Sequence, residues 1–150
     1  MQSILPEAII IRTAWVFSEY GNNFVKTMLR LAKDRSELGI VGDQLGCPTY
    51  AGDIATAILS LIDKSAAGGI YHYCGDEQVT WAQFALAIFE QAEQQGKLAK
   101  QPKVNAITTA DFPTPAKRPA YSVMSTAKIG QYTAASAWRQ ALSTVLARID

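Results

Sequence analysis

The sequence predicts an α/β fold with a parallel sheet, because apolar runs of strand length alternate with amphipathic stretches of helix length. The first run, Ile9–Ile11, is continuously hydrophobic, which is typical of a strand buried on both faces of a parallel sheet. The 150 residues suffice for one domain, and the order of elements fits the later half of a nucleotide-binding fold joined to a small lobe. Since a buried strand needs neighbours on both sides, we expect further residues of a larger protein before Met1.

A helix and a strand are predicted next. Asn22 and Asn23 can cap a helix that ends at about Asp34, because its apolar side chains fall on one stripe. A short strand over Leu38–Gly42 follows, and a loop leads from it to the second helix.

The second helix is predicted over Asp53–Lys64 and is expected to be buried. Its apolar residues recur at helical spacing: Ile54, Ala55, Ile58, Leu59 and Ile62. Gly68 and Gly69 are expected to end it. A strand over Ile70–Cys74 comes next.

The third helix has the two side chains of a capping box, Thr80 and Gln83, and Gly96 is expected to close it after about Gln95. A strand is predicted over Val104–Thr108. Ser136 is the expected cap of a last amphipathic helix. The apolar stripe of that helix consists of Trp138, Leu142, Val145, Leu146 and Ile149.

Composition excludes two classes of partner. A net charge of +1 leaves no broad basic face for nucleic acid. No apolar run approaches the roughly 20 residues that a membrane span requires, so no membrane partner is expected. Cys47 and Cys74 lack metal-type spacing, and we expect them to be free thiols in a reducing cytoplasm.

The loop Pro113–Ser122 carries Lys117 and Arg118 between three prolines that lie within seven residues. Proline fixes the backbone and excludes a helix or a central strand, so both cations are held at the surface. A preorganised guanidinium matches the paired oxygens of a phosphate or carboxylate. The alternative is an ordinary connecting loop with solvated side chains.

Other motifs give weaker signals. The glycines at 39, 42 and 46 do not lead into a helix N-terminus, so turn chemistry explains them better than a phosphate loop does. His72, the only histidine, lies in an apolar strand and is expected to be structural. No self-contained catalytic set and no metal site are predicted in this chain.

A candidate site lies where the first strand ends. Ligands of open α/β sheets bind beyond the carboxyl ends of the strands, and Trp15 follows the first strand there. Its indole could form a pocket wall or belong to the core. Asn22 and Asn23 open the next helix, where they can cap it, attract phosphate oxygens, or do both.

Four collinear blocks resemble dTDP-4-dehydrorhamnose reductases, which are relatives of the extended short-chain dehydrogenases. They are RTAWVF…GNNFVKTMLRLA from Arg12, DQLGCPTYA from Asp43 with DIA after it, GIYHYCG from Gly69 before Thr80-Trp81, and PTPAKRPAYSV from Pro113. The resemblance covers nearly the whole chain. It implies the later part of a Rossmann-like parallel sheet together with the small substrate-binding lobe.

The resemblance also implies an activity. These enzymes reduce the 4-keto group of dTDP-4-dehydro-L-rhamnose with NADH or NADPH, which completes dTDP-L-rhamnose for bacterial surface polysaccharides. It implies a dTDP-sugar as substrate, a homodimer in some members, and assistance by Mg²⁺ in some.

Site residues are carried over position by position. The implied substrate-binding residues are Trp15 beside the sugar, Asn22 and Asn23 near the diphosphate, and Lys117 and Arg118 against the nucleotide-sugar. Thr13 and Ala14 would pass close to the nicotinamide. The loop Cys47–Tyr50 would line the same pocket.

Two parts of the family pattern are missing. The chain has no glycine-rich cofactor loop, and no Tyr has a Lys four positions later. The Tyr-x-x-x-Lys pair, which protonates the carbonyl oxygen and holds the ribose, is expected upstream of Met1. Residues 1–150 are therefore interpreted as the C-terminal, substrate-binding portion of a reductase, expected to bind NAD(P)H poorly and to be inactive alone.

Two alternatives stay open at this stage. The same fold occurs in a non-catalytic regulatory subunit of methionine adenosyltransferase, which binds a partner enzyme. A reductase of another dTDP-deoxysugar would present similar motifs.

Overall fold

The computed structural model describes residues 3–149. Its strands are β1 Ile9–Arg12, β2 Val16–Phe17, β3 Glu37–Val41, β4 Leu45–Gly46, β5 Thr49–Tyr50, β6 Gly69–His72, β7 Val79–Thr80 and β8 Lys103–Ile107. Its α-helices are α1 Phe24–Asp34, α2 Ala51–Asp63, α3 Trp81–Gln94 and α4 Trp138–Arg148. Two short 3₁₀ turns lie at Thr109–Asp111 and Ile129–Gln131.

The strands form four pairs, three of them parallel. β1 pairs with β6, with Ile9 opposite Gly69, and β3 pairs with β8, with Glu37 opposite Lys103. The short β2 and β5 also run parallel, whereas β4 and β7 are antiparallel. The alternation of helices with parallel strands confirms the predicted α/β class.

β1 is less enclosed than its sequence suggests. The predicted burial on both faces is wrong for the described chain, because Ile9, Ile10 and Ile11 are only half-buried. β6 pairs with one edge of β1, and no other strand of residues 3–149 pairs with it. One face and one edge of an apolar parallel strand are thus left without a covering element from this part of the chain.

The core is divided into two clusters. The larger lies between α1, α3 and α4 and includes Phe17, Phe84 and Trp138, each at most 1% exposed. The smaller lies between α2 and the β1–β6 pair and includes Leu61 and Tyr71.

The predicted start of α1 is confirmed. Asn23 is the N-cap residue, with an extended backbone, and its Oδ1 accepts a hydrogen bond from the Lys26 N–H at 3.3 Å. α1 ends at Asp34, as expected, and β3 begins one residue earlier than predicted.

α2 corrects two expectations. It starts at Ala51 and ends at Asp63, where Ser65 takes a left-handed backbone (φ +49°) and the Ala66 N–H bonds back to the Leu61 carbonyl. Gly68 and Gly69 therefore lie beyond the helix end. Only the side toward the β1–β6 pair is buried, so Ile58, Leu59 and Ile62 are 41%, 66% and 64% exposed.

α3 and α4 confirm one cap and correct another. Both hydrogen bonds of the Thr80–Gln83 capping box are present, and Gly96 adopts φ +71° just after α3. Ser136 does not cap α4, because its hydroxyl donates to Asp53 Oδ2 at 2.5 Å. This bond ties the start of α4 to the first turn of α2. Four residues of the predicted apolar stripe of α4 are buried in the larger cluster, Trp138, Leu142, Val145 and Leu146, whereas Ile149 follows the helix end and is only partly buried.

The longest helix, α3, has 14 residues. Within residues 3–149, no helix combines the length and the apolar character that crossing a membrane demands.

Candidate functional site

The candidate site begins at the carboxyl end of β1, where Trp15 has a left-handed backbone with φ +51°. Such a conformation costs a bulky residue on the order of 1–3 kcal/mol, so its surroundings must hold it. The Trp15 carbonyl accepts a hydrogen bond from the Thr49 N–H at 3.1 Å. The chain thus turns sharply between β1 and β2, and backbone strain is concentrated at a predicted site residue.

The Trp15 indole stacks on Trp81, with ring centroids 3.5 Å apart and planes 13° from parallel. Phe24 lies against Trp81 at 4.7 Å. On the other side, a Cβ added at Gly46 would approach the Trp15 ring to 2.3 Å, so only glycine fits there. Trp15 is half-buried. Trp15 therefore packs against the core, as one alternative predicted, while part of it stays accessible; its role as a pocket wall stays a prediction.

Gln44 holds the stack from a buried position, 7% exposed. Its Oε1 accepts from Trp81 Nε1 at 3.1 Å, and its Nε2 donates to Thr109 Oγ1 at 3.1 Å. Sequence analysis missed both Gln44 and Trp81 as site residues. Their membership in two of the four collinear blocks was the available signal.

The base of the basic loop is fastened to the residues on either side of Gln44. The Thr109 N–H and hydroxyl donate to Asp43. Leu45 N–H donates to the Ala120 carbonyl at 2.8 Å, and the Ser122 N–H donates to the Leu45 carbonyl at 2.9 Å. Asp43 and Leu45 therefore hold the chain before and at the end of the basic loop, and Gln44 contacts the indole stack.

Lys117 and Arg118 are exposed on this loop. Neither side chain has a hydrogen bond or an ion pair within residues 3–149. Both donor groups are free to bind an anion, which agrees with the predicted surface position.

The two asparagines differ in how much of each side chain is engaged. Asn23 uses both ends, since Nδ2 donates to the Ser18 carbonyl at 2.7 Å while Oδ1 caps α1. Asn22 is exposed, and its side chain has no hydrogen bond in the described part of the chain. Asn22 is thus the one whose amide is available to a ligand.

Thr13 and Ala14 lie between β1 and β2, at the sheet edge where Trp15 begins the turn. Thr13 is exposed and Ala14 is half-buried. The preceding Arg12 carbonyl accepts from the Tyr73 N–H at 3.0 Å, which fixes this edge to β6.

Two groups near the site, Asp43 and Cys47, have pKa values that favour unreactive forms at neutral pH. The hydroxyl and N–H of Thr109 hold the pKa of Asp43 below its ordinary value, so Asp43 is ionised at neutral pH. Cys47 and Cys74 are buried free thiols. Burial, with the neighbouring Cys74 thiol, raises the pKa of Cys47 to about 12, which keeps it protonated and a poor nucleophile.

The spaced glycines mark close packing rather than the turns we expected. A Cβ added at Gly39 would lie 3.4 Å from Ile107, and one at Gly42 would lie 3.0 Å from Ala106, both on β8. Gly46 faces the Trp15 indole. None of the three cradles a phosphate at a helix N-terminus.

His72 is half-buried on β6, between the buried Tyr71 and Tyr73. Across residues 3–149, no three His, Cys, Asp or Glu side chains are close enough to hold a metal ion. The Mg²⁺ that the resemblance implies for some members stays a prediction.

Comparison with known proteins agrees with this architecture. A family model described as the RmlD substrate binding domain matches residues 1–150. The dTDP-4-dehydrorhamnose reductase of Aggregatibacter actinomycetemcomitans is 51% identical over 152 residues, which cover 97% of this chain and 52% of that protein.

Two solved structures are similar over the same region. The dTDP-4-dehydrorhamnose reductase of Clostridium acetobutylicum superposes with a TM-score of 0.85 at 35% identity, covering 97% of this chain and 50% of that one. The Bacillus anthracis reductase, solved in complex with NADP, gives 0.82 at 35% identity, covering 93% and 48%.

The chain spans about half the length of the curated relatives it matches. Across that half, the family model matches residues 1–150 and the fold is shared. The chain belongs to the RmlD substrate binding domain family, and its resemblance to dTDP-4-dehydrorhamnose reductases is confirmed.

Proposed function

We propose that this chain is the C-terminal, nucleotide-sugar-binding portion of a dTDP-4-dehydrorhamnose reductase. The complete enzyme would reduce the 4-keto group of dTDP-4-dehydro-L-rhamnose to dTDP-L-rhamnose with NADH or NADPH. One observation carries the proposal: residues 43–45 fasten the base of a loop with two unengaged cations to the stack that includes Trp15.

Each site residue is matched to the part of the ligand whose chemistry it complements. Arg118 and Lys117 offer charge-assisted donors to the diphosphate. The strained, half-buried Trp15 presents a rigid apolar surface to the sugar ring. Asn22 at the start of α1 adds an amide, while Asn23 acts through the helix N-terminus that it caps.

The cofactor is assigned mainly to a part of the protein outside this chain. NAD(P)H supplies the hydride, and only Thr13 and Ala14 are proposed to approach the nicotinamide. The curated relatives are about twice as long as this chain, which supports a separate cofactor-binding half. The uncovered edge of β1 and the exposed apolar residues Ile58, Leu59 and Ile62 support a large partner surface.

We set the reaction in the cytoplasm. The two cysteines are free thiols, as a reducing compartment maintains them. The proton donor belongs to the Tyr-x-x-x-Lys pair that this chain lacks, so no residue of this chain is proposed as catalytic.

Calorimetric titration with dTDP tests the nucleotide-binding role. Wild type should bind, and Arg118→Ala should weaken binding about tenfold or more, because a charge-assisted hydrogen bond contributes about 1.5–3 kcal/mol. Arg35→Ala is the matched control, since Arg35 is an exposed arginine that follows α1, away from the loop. Absence of binding, or an equal loss in both variants, would contradict the proposal.

A further inference from the structure

The hydrogen bonds around Gln44 form a chain with only one self-consistent direction. An ionised Asp43 can only accept, and it receives the Thr109 hydroxyl at 2.6 Å and the Thr109 N–H at 2.9 Å. The single hydroxyl hydrogen of Thr109 is thereby used. Its oxygen must then accept from Gln44, which places the amide nitrogen of Gln44 on the Thr109 side.

The other end of the amide obeys the same logic. An indole N–H can only donate, and Trp81 Nε1 lies 3.1 Å from Gln44 Oε1. The direction therefore runs from Trp81 through Gln44 and Thr109 to Asp43. If the Gln44 amide were flipped, its NH₂ group would face the Trp81 indole N–H, and neither group could accept a hydrogen bond from the other. The orientation of Gln44 is therefore fixed by its neighbours.

Burial of Gln44 makes this chain of hydrogen bonds sensitive to the loss of either partner of Gln44. Gln44 is 7% exposed, so water has little access to replace a lost partner. A buried polar group left unpaired costs more than the hydrogen bond itself contributes. Loss of either partner therefore leaves one end of the buried Gln44 amide unpaired, and this couples Trp81 to Thr109.

This chain of hydrogen bonds joins two parts of the protein that are far apart in sequence. Trp81 is 37 residues from Gln44, and Thr109 is 65 residues from it. At one end lies the stack of Trp15 and Trp81. At the other, Thr109 lies near the start of the continuously exposed segment 108–121 that carries Lys117 and Arg118.

We propose that Gln44 is a positioning residue that couples the Trp15–Trp81 stack to the basic loop, so that anion binding by the loop and sugar contact by the stack occur together. The ligand in this statement rests on the proposed function. Gln44 touches neither phosphate nor sugar. It sets the distance between the groups that do.

The coupling is testable without any ligand. The chain contains three tryptophans, so an ¹H–¹⁵N correlation spectrum has three indole signals, and loss of one in Trp81→Phe assigns it. Thr109→Val should shift the Trp81 indole signal although, within residues 3–149, no hydrogen bond joins Thr109 to Trp81 directly. The same change in a Gln44→Leu background should leave that signal in place. Gln44→Met provides a second background if the leucine variant does not fold.

Thr114→Val is the matched control, because Thr114 lies in the same exposed loop but its hydroxyl bonds only locally, to the Ala116 carbonyl. It should leave the Trp81 signal unchanged. A Trp81 signal that ignores Thr109→Val, or that shifts equally with and without Gln44, would overturn the coupling.

Titration with dTDP separates this inference from the proposed function. With coupling, dTDP shifts the Trp81 indole signal in wild type, and Gln44→Leu weakens binding at least about fivefold, the effect of one buried hydrogen bond. Wild-type binding that Gln44→Leu leaves unchanged overturns the coupling and spares the proposed function. No binding by wild type contradicts the proposed function, while the ligand-free shifts still decide the coupling.

Discussion

At the scale of single residues, the site depends on how closely one glycine approaches one indole. Trp15 keeps a left-handed backbone while stacked between Trp81 and Gly46. The sequence identified Trp15 from its place after a strand. It could not identify Gly46, because the contact depends on the turn that Trp15 itself makes.

Gly46→Ala should displace the Trp15 indole, because the new Cβ would lie 2.3 Å from its ring. We expect a loss of about 1–3 kcal/mol in the free energy of unfolding, typical of overpacking, and a weaker near-ultraviolet circular dichroism signal from the stacked indoles. Gly130→Ala is the control, since no heavy atom lies within 4 Å of the added Cβ. Equal stability of the two variants would contradict the packing described for Trp15.

Gln44 shows why part of the site escapes sequence analysis. A glutamine in a loop carries no periodic or motif signal of its own. Its role arises from partners on α3 and after β8, which only the folded chain brings together. The surface position of Lys117 and Arg118 could be predicted, because proline constrains the backbone of their loop locally.

At the scale of elements, local signals predicted the helices whose ends are built from neighbouring residues. The side-chain acceptors of the Asn23 cap of α1 and of the Thr80–Gln83 box of α3 each lie three residues from the backbone N–H that donates to them. Ser136 was misjudged, because its strongest partner, Asp53, is on α2. Sequence pattern alone cannot weigh a distant carboxylate against a local helix end.

Glu19 joins three elements and should give the fold a pH dependence. It accepts from Arg148 at 2.7 Å and from the Tyr50 hydroxyl at 3.2 Å, and its side chain is 7% exposed. A hydrogen bond from its own backbone, then Arg148, Ser18 and Tyr50, lower the pKa of Glu19 from 4.5 to about 2. This contribution to stability is present above about pH 4.5 and is lost as the pH falls toward 2.

Glu19→Gln should therefore destabilise the chain by about 1.5–3 kcal/mol at pH 7, the range for one charge-assisted hydrogen bond. The difference from wild type should shrink between pH 4.5 and 2, measured by urea unfolding at several pH values. Glu37→Gln is the control, because its ion pair with Lys103 spans 3.5 Å between side chains that are 56% and 68% exposed. A gap between wild type and Glu19→Gln that stays constant with pH would contradict the role given to Glu19.

At the scale of the whole molecule, hydrophobic periodicity predicted the existence of α2 but not which faces are covered. Its pattern predicted a buried helix, whereas residues 3–149 cover only the side that carries Ala57 and Leu61. Together with the free edge of β1, the outer face is suited to a large apolar partner. We assign it to the cofactor-binding half; the homodimer stays a prediction.

The division of labour between the two halves is the central claim of this account. We propose that the cations, the indole and the capped helix of this chain bind the nucleotide-sugar, and that the groups that transfer hydride and proton lie elsewhere. The related proteins are named reductases rather than regulatory subunits, which favours the enzymatic alternative. Local sequence pattern constrains the identity of the sugar least, because the residues proposed to contact the ligand come from several segments of the chain.

The most direct test is a spectrophotometric assay of NADPH consumption by the purified 150-residue chain with dTDP-4-dehydrorhamnose. The account predicts a rate equal to the protein-free background, even at dTDP-sugar concentrations that saturate binding. Turnover above background that disappears in Arg118→Ala would contradict it, because the chain would then contain a complete active site.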